Sequence, residues 1–347
     1  MSGVTSGREL RVGIMSFAHV HAATYARLLA RWPGVEVRAA DPGAASAPAD
    51  ESRGRELAAS LGVGYADSYE ELLAWKPDAV IVASENARHR SLVEAAAAAG
   101  AAVLCEKPLA TTHEDALAMQ SACDGAGVTL MTAYPVRFSP AFVRLREIVT
   151  AGGVGELLGA TGTNNGQIPV GERAWFTDPE LSGGGALVDH IVHVADLIDS
   201  LTGLRPLTVH AATNRILHAD KSQVRAETGG LVTVGYEGGF ILTIDCSWSQ
   251  PDSAPNWGGL TLHVVGSTGI AEIDPFAHHV GGFTELGPSG LHLSYGVDTD
   301  ELLLAAFLDG ARRGHQPQPD GQAGIRTLAI VLAAQESART GLVVDVV

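Results

Sequence analysis

Cysteine is scarce in this 347-residue chain, with three residues at Cys105, Cys123 and Cys246. Their odd number and wide spacing exclude a disulfide framework and match no metal-ligand pattern, so reduced thiols in a cytoplasmic protein are expected. Positive charge is scarce too. Lys plus Arg number 23 against 39 Asp plus Glu, a net charge of −16, and no basic cluster stands out. That excludes a nucleic-acid partner and favours a small neutral ligand over a polyanion. No window is apolar for long enough to span a membrane. The opening MSGVTSGREL is polar and has no apolar signal-peptide region, so residues 1–9 are expected to form a flexible tail. No short-period repeat occurs.

What the chain does have is alternation. Apolar strands are expected at 10–15, 35–40, 79–83, 101–105 and 128–133. Helices are expected between them at 20–32, 53–61, 88–99 and 112–126. Such alternation builds a doubly wound parallel sheet, a Rossmann domain over residues 10–135. The pattern then changes. A helix at 141–150, a strand at 157–163 and a long apolar helix at 186–201 precede strands at 206–216, 230–236, 240–248, 260–265 and 270–273. Helices at 300–313 and 324–340 close the chain. The Glu237-Gly238-Gly239 turn signals a hairpin. Residues 136–347 are therefore expected to form a C-terminal α/β domain with a large, open, mostly antiparallel sheet. The overall class is α/β.

Several stretches carry chemistry. The strand at 101–105 stops at Glu106-Lys107-Pro108. Proline biases Lys107 towards an extended backbone at a strand's carboxyl end, where open α/β sheets bind ligands. A lysine there can donate a proton or orient a hydroxyl; a solvated turn lysine is the plain alternative. The first strand-to-helix turn, Ser16-Phe17-Ala18-His19-Val20-His21, is where a dinucleotide pyrophosphate docks. It is a degraded glycine fingerprint, with Ser16, Ala18 and His21 where glycines belong. Packing and capping are the leading roles for His19 and His21. Asp41 ends the second strand, where a carboxylate takes the adenosine ribose hydroxyls and repels a 2′-phosphate, favouring NAD over NADP. Ser84 and Asn86 follow the third strand and are expected at the cofactor. Asn86 is expected to cap the next helix, with His89 in that helix's first turn. The triplet Gly183-Gly184-Gly185 enters the helix bearing Asp189, His190 and His193. Asp189 and His193 stand four apart on one face, the spacing of a general base and its orienter. His190 is expected to point away from that face, and no metal is expected among the three. The pair His278-His279 is read as solvated.

In combination, Glu106-Lys107-Pro108, the stretch WFTDPELSGGGALVDHIVH from Trp175 to His193 and the order of elements resemble the Gfo/Idh/MocA oxidoreductase family. The resemblance covers nearly the whole chain, including Val264-Val265-Gly266-Ser267-Thr268-Gly269. It implies a nicotinamide between the two domains and Lys107, Asp189 and His193 as catalytic residues. It also implies that Asp41, Asn86, His89 and Glu106 line the cofactor. Tyr134 and Arg137 are implied at the active-site wall, with Trp175 and His190 also expected at the substrate. A homodimer or homotetramer through the C-terminal sheet is implied as well. The expected activity is NAD-dependent oxidation of a secondary hydroxyl on a sugar, glycoside or cyclitol. Two alternatives stay open: cleavage or epimerisation through a transient oxidation, and a cofactor-binding regulator without catalysis. Chief among the departures from the family are the degraded glycine turn, Glu85 in place of the usual proline, and His190 in place of an apolar residue.

Overall fold

The computed structural model describes residues 9–48, 50–171, 173–282 and 291–347; residues 1–8 of the expected tail lie outside them. The first half runs β1 (Leu10–Met15), α1 (His21–Leu29), β2 (Val35–Ala40), α2 (Gly54–Ser60), β3 (Gly64–Ala66), α3 (Tyr69–Ala74), β4 (Ala79–Val82), α4 (His89–Ala98), β5 (Ala102–Cys105), α5 (His113–Ala126) and β6 (Leu130–Thr132). The six strands form one parallel sheet in the order β3-β2-β1-β4-β5-β6. β4 and β5 are buried at every position, because helices cover both faces; this explains their unbroken apolar runs. The order reverses between β1 and β4, and the crevice at the strands' carboxyl ends opens there. β3 and α3 were not foreseen. With three and six residues, they are too short to show a period, and only the cap at Ser68, which accepts from the Glu71 N–H at 3.1 Å, marks the helix start.

The second half runs α6 (Pro140–Thr150), β7 (Leu157–Gln167), α7 (Pro179–Ser182), α8 (Ala186–Thr202), β8 (Pro206–Asn214), β9 (Gly229–Tyr236), β10 (Ile241–Gln250), β11 (Gly258–Gly266), β12 (Ile270–Ile273), β13 (His279–Gly282), β14 (Leu291–Ser294), α9 (Thr299–Arg313), α10 (Gly321–Thr340) and β15 (Val344–Asp345). Seven strands make a second sheet, β12-β11-β7-β10-β9-β8-β15. It is antiparallel except between β7 and β10. The Glu237-Gly238-Gly239 turn does join the β9–β10 hairpin. Alternate residues such as Val232, Val234, Leu242 and Ile244 bury against Ile191, Val194 and Ile198 of α8. Gly162 allows that approach, since a Cβ there would meet Val194 Cγ1 at 2.4 Å. The opposite face leaves Leu231 64% and Ile241 52% exposed. β13 and β14 pair antiparallel as a separate two-stranded sheet, and β13, exposed throughout, includes His279, read from the sequence as loop.

Chain order and layers part company at the end. α9 buries Leu303, Leu304, Phe307 and Leu308 in the core of the first sheet. α10 packs on α8 and β8, and a bridge between Met131 and Asp320 fastens its start to β6. The two sheets therefore hold a fixed crevice between them.

Candidate active site

β5 delivers Glu106 and Lys107 to the crevice, and α8 meets them from the other side. α8 starts close because its entry has no side chains. Gly183 and Gly184 adopt φ of 84° and 156°, conformations open to glycine. A Cβ on Gly185 would lie 2.1 Å from the Glu227 carbonyl oxygen. The Glu227 carboxylate then accepts the first free N–H groups of the helix, from Gly185 at 2.8 Å and Leu187 at 3.1 Å. This places Asp189 in the first turn beside Lys107. Lys107 Nζ donates to Asp189 Oδ1 at 2.7 Å and to its backbone oxygen at 3.3 Å. Trp248 Nε1 donates to Asp189 Oδ2 at 3.0 Å. The expected Asp189–His193 pair is thus corrected: the carboxylate orients Lys107, and no hydrogen bond joins it to His193. Burial works against its charge, but the Lys107 ammonium and the two hydrogen bonds hold Asp189 well below the usual carboxylate range.

His193, one turn on, lines the same cleft as Lys107 and Asp189, a cavity of ≈ 610 Å³. Its Nδ1 is buried without a hydrogen-bond partner. Burial and the nearby Lys107 charge push its pKa well down, so the ring is neutral at neutral pH. The Tyr134 ring meets it edge-on at 6.2 Å. The Tyr134 hydroxyl, however, is bonded to Thr327 Oγ1 at 2.6 Å and so is not offered to a ligand, which corrects its expected contact with substrate.

The first turn has been rebuilt around its missing glycines. Ser16 holds φ at 77°, accepts the Ala18 N–H at 3.0 Å and donates to Asp41 Oδ1 at 3.1 Å. Asp41 is where a ribose-binding carboxylate belongs, but it is already bonded. Arg53 donates to both its oxygens, at 2.8 and 3.1 Å, and Gly54 N adds a third contact at 3.2 Å. Arg173 and Trp175 donate to the Ala18 carbonyl, and Arg173 also to that of Phe17. His19 Nδ1 accepts the His21 N–H at 3.2 Å, the capping role expected of it. Glu106 is buried behind the turn. It accepts from Tyr25 Oη at 2.7 Å, lies 3.1 Å from His21 Nδ1, and receives the Lys107 N–H at 3.1 Å. Burial opposes its charge, but His21 and the hydrogen bonds from His21 and Tyr25 hold its pKa far below the usual range.

His19, His21 and Glu106 bring three ligand-type atoms within 4.8 Å of one another. Hydrogen bonds engage His21 Nδ1 and the Glu106 carboxylate, and His19 through its Nδ1. With its Nδ1 lone pair taken by the His21 N–H, a neutral His19 carries its proton on Nε2 and has no lone pair there for a metal. His19 lines the cleft beside Lys107, and its buried Nε2 has no hydrogen-bond partner. A nicotinamide fits this end, where polar groups converge on open space. At the ribose end the fit is conditional, because the cofactor must share Asp41 with Arg53 or displace it.

Other expected residues take structural posts. Arg137 forms a buried ion pair with Asp196, its Nε at 3.0 Å from Oδ2, rather than facing substrate. Trp175 is only 5% exposed and stacks on Phe176, which lines the cleft in its place. His190 is fully buried with neither ring nitrogen bonded, 5.5 Å from the Trp257 ring and 3.8 Å from Asp189. It therefore lies beneath the site without lining the cleft, which corrects its expected place at the substrate; burial lowers its pKa to about 4 despite Asp189. Asn86 caps nothing: its Nδ2 donates to the Ser182 carbonyl at 2.8 Å, tying the first sheet to the α8 entry. His89 Nδ1 lies 3.1 Å from both the Pro108 and Leu109 carbonyls and braces the turn after Lys107. Ser84 Oγ bonds the Glu85 carbonyl. Sequence reasoning missed Trp248 and Arg53. Inward alternation along β10 was the available signal for Trp248; Arg53 stands just before α2, where no period marks it.

Comparison with known proteins agrees with this architecture. Residues 13–134 match the oxidoreductase family with an NAD-binding Rossmann fold, and residues 142–272 match the GFO/IDH/MocA C-terminal domain. The chain is 30% identical over 300 residues to 1,5-anhydro-D-fructose reductase of Ensifer adhaerens, covering 85% of this chain and 88% of the relative. It is 29% identical over 304 residues to a D-xylose 1-dehydrogenase (NADP(+)) of Haloferax volcanii, covering 87% and 91%. In fold it is similar to GenD2 from gentamicin A biosynthesis, solved in complex with NAD, at a TM-score of 0.86 and 23% identity over 99% of this chain and 98% of that one. Among the described residues no helix is long and apolar enough to cross a membrane. The chain belongs to the Gfo/Idh/MocA family of oxidoreductases, whose Rossmann domain binds NAD.

Proposed function

We propose that this enzyme oxidises a secondary hydroxyl of a sugar, glycoside or cyclitol, with NAD as acceptor. The observation that carries the reading is the meeting in one cleft of Lys107, held at 2.7 Å by Asp189, and His193, half-buried in the cleft wall and neutral. NAD, when bound there, would supply the acceptor for the hydride of the carbinol carbon. His193 takes the hydroxyl proton, for which a neutral imidazole is the competent form. Lys107 donates a hydrogen bond to the same oxygen and stabilises its developing negative charge. Asp189 fixes the direction of the lysine. Positioned acid–base assistance of this kind contributes about 10²–10⁴ in rate.

Ser16, Phe17, Ala18, His19 and Asp41 are proposed to hold the cofactor, with Arg53 moving aside or sharing Asp41. Three carboxylates, Asp41, Glu51 and Glu85, lie within 4 Å of Arg53. Arg88 and Arg173 lie against Glu85 and Glu51 in turn, so the cluster is balanced in charge, and the preference for NAD over NADP rests on Asp41, whose carboxylate suits ribose hydroxyls and repels a 2′-phosphate. Relatives named for sugars, such as D-apiose dehydrogenase and levoglucosan dehydrogenase, support a neutral polyhydroxylated substrate. A homo-oligomer formed through the open face of the second sheet and a cytoplasmic location complete the reading. The test is an absorbance screen for NADH against polyols, free sugars and glycosides. NADH accumulating with one class supports the dehydrogenase. Substrate turnover with no net NADH would point instead to cleavage or epimerisation.

A further inference from the structure

Resting on that reading, we propose that the substrate has two rings, and that a second subsite beyond the cleft holds the ring that is not oxidised. Next to the catalytic cleft lies a second cavity of ≈ 390 Å³. The two share walls: Trp257 and Pro169 line both. Each volume falls in the range of ligand sites, about 300–1,000 Å³.

Trp257 is built as a platform between them. Its indole lies against the backbone of β7, where a Cβ on Gly166 would meet Cη2 and Cζ2 at 2.8 Å. The side chain therefore needs that glycine. The neutral His190 ring packs 5.5 Å away, and Trp257 remains 43% exposed. An indole fixed on one side and open on the other offers an apolar face to the C–H face of a sugar or to an aromatic aglycone.

The outer cavity has the polar groups that a hydroxyl-bearing ring needs. Lys221 and Asp252 line it with their charged ends 3.7 Å apart, beyond hydrogen-bond length, so each keeps capacity for a ligand hydroxyl. Gln167 uses its amide nitrogen on the Pro251 and Ala254 carbonyls, and Gln223 adds a second amide to the wall. Ile168, 6% exposed, and Val170 supply an apolar floor. Mixed donors and acceptors over an apolar base suit a neutral glycoside better than an anion.

Calorimetric titration of the NAD-loaded protein tests the subsite. The one-ring probes are glucose, xylose and myo-inositol; the two-ring probes are cellobiose, phenyl β-glucoside and phenyl β-xyloside. The expected result is at least about tenfold tighter binding of a two-ring probe than of its one-ring counterpart, equivalent to about 1.4 kcal/mol. Trp257→Ala and the Lys221→Ala/Asp252→Ala pair should each erase that advantage, and the surface pair should leave one-ring binding unchanged. Equal affinities for one and two rings, or losses that fall alike on both, would overturn the subsite even where NADH forms. NADH formation is scored separately: tight two-ring binding without it would keep the subsite and remove the dehydrogenase reading.

Discussion

Asp189 shows how much one carboxylate can organise. It is 7% exposed, faces a lysine that is 4% exposed, and takes an indole N–H on its second oxygen. Removing it strands a buried ammonium, which costs about 3–5 kcal/mol. Asp189→Ala should lose stability on that scale in urea melts at neutral pH. The sign follows from its lowered pKa. The contribution is complete above the ordinary aspartate value and is lost only as pH falls through the lower folded value. His193 sets a second expectation. Its pKa is depressed by burial and then by Lys107, so protonation needs more acid than an ordinary histidine does. The acid limb of kcat/KM should therefore lie below the ordinary value of about 6.5. A limb at or above that value, measured in a pH–rate profile, would contradict the role of His193 as a neutral base.

The entry to α8 is the element on which the site's geometry turns. Gly185→Ala places a methyl group 2.1 Å from the Glu227 carbonyl, a backbone atom that cannot swing away. A loss of about 1–3 kcal/mol is expected from such overpacking, together with a drop in kcat as Asp189 shifts. Thermal melts and steady-state rates on the same preparation check both. The element also shows what was legible in the sequence. The glycine triplet, Lys107 before a proline, and His193 on the following helix were readable because strand ends and helix starts leave residue-type signatures. The partner of Asp189 was not, because spacing of four says only that two side chains share a helix face. Whether the carboxylate turns to His193 or across the crevice to Lys107 depends on β5, and chain position does not encode that approach. Arg137 illustrates the same limit. A charged residue after a strand reads alike whether it meets substrate or, as here, Asp196.

At the scale of the whole molecule, two sheets share one crevice, and late helices lock them together. The open face of the second sheet is the surface proposed for assembly. Charged substitutions there, Leu231→Asp with Ile241→Asp, should convert the oligomer to monomers in light scattering without unfolding it, because both side chains already face solvent within one chain. The central claim is that Lys107 and His193 act on one alcohol oxygen. It is tested most directly by NADH formation under saturating NAD in wild type, Lys107→Ala and His193→Ala, with NAD binding followed by fluorescence titration. Turnover should vanish in both variants while NAD still binds; near-wild-type rates in the two would contradict the account.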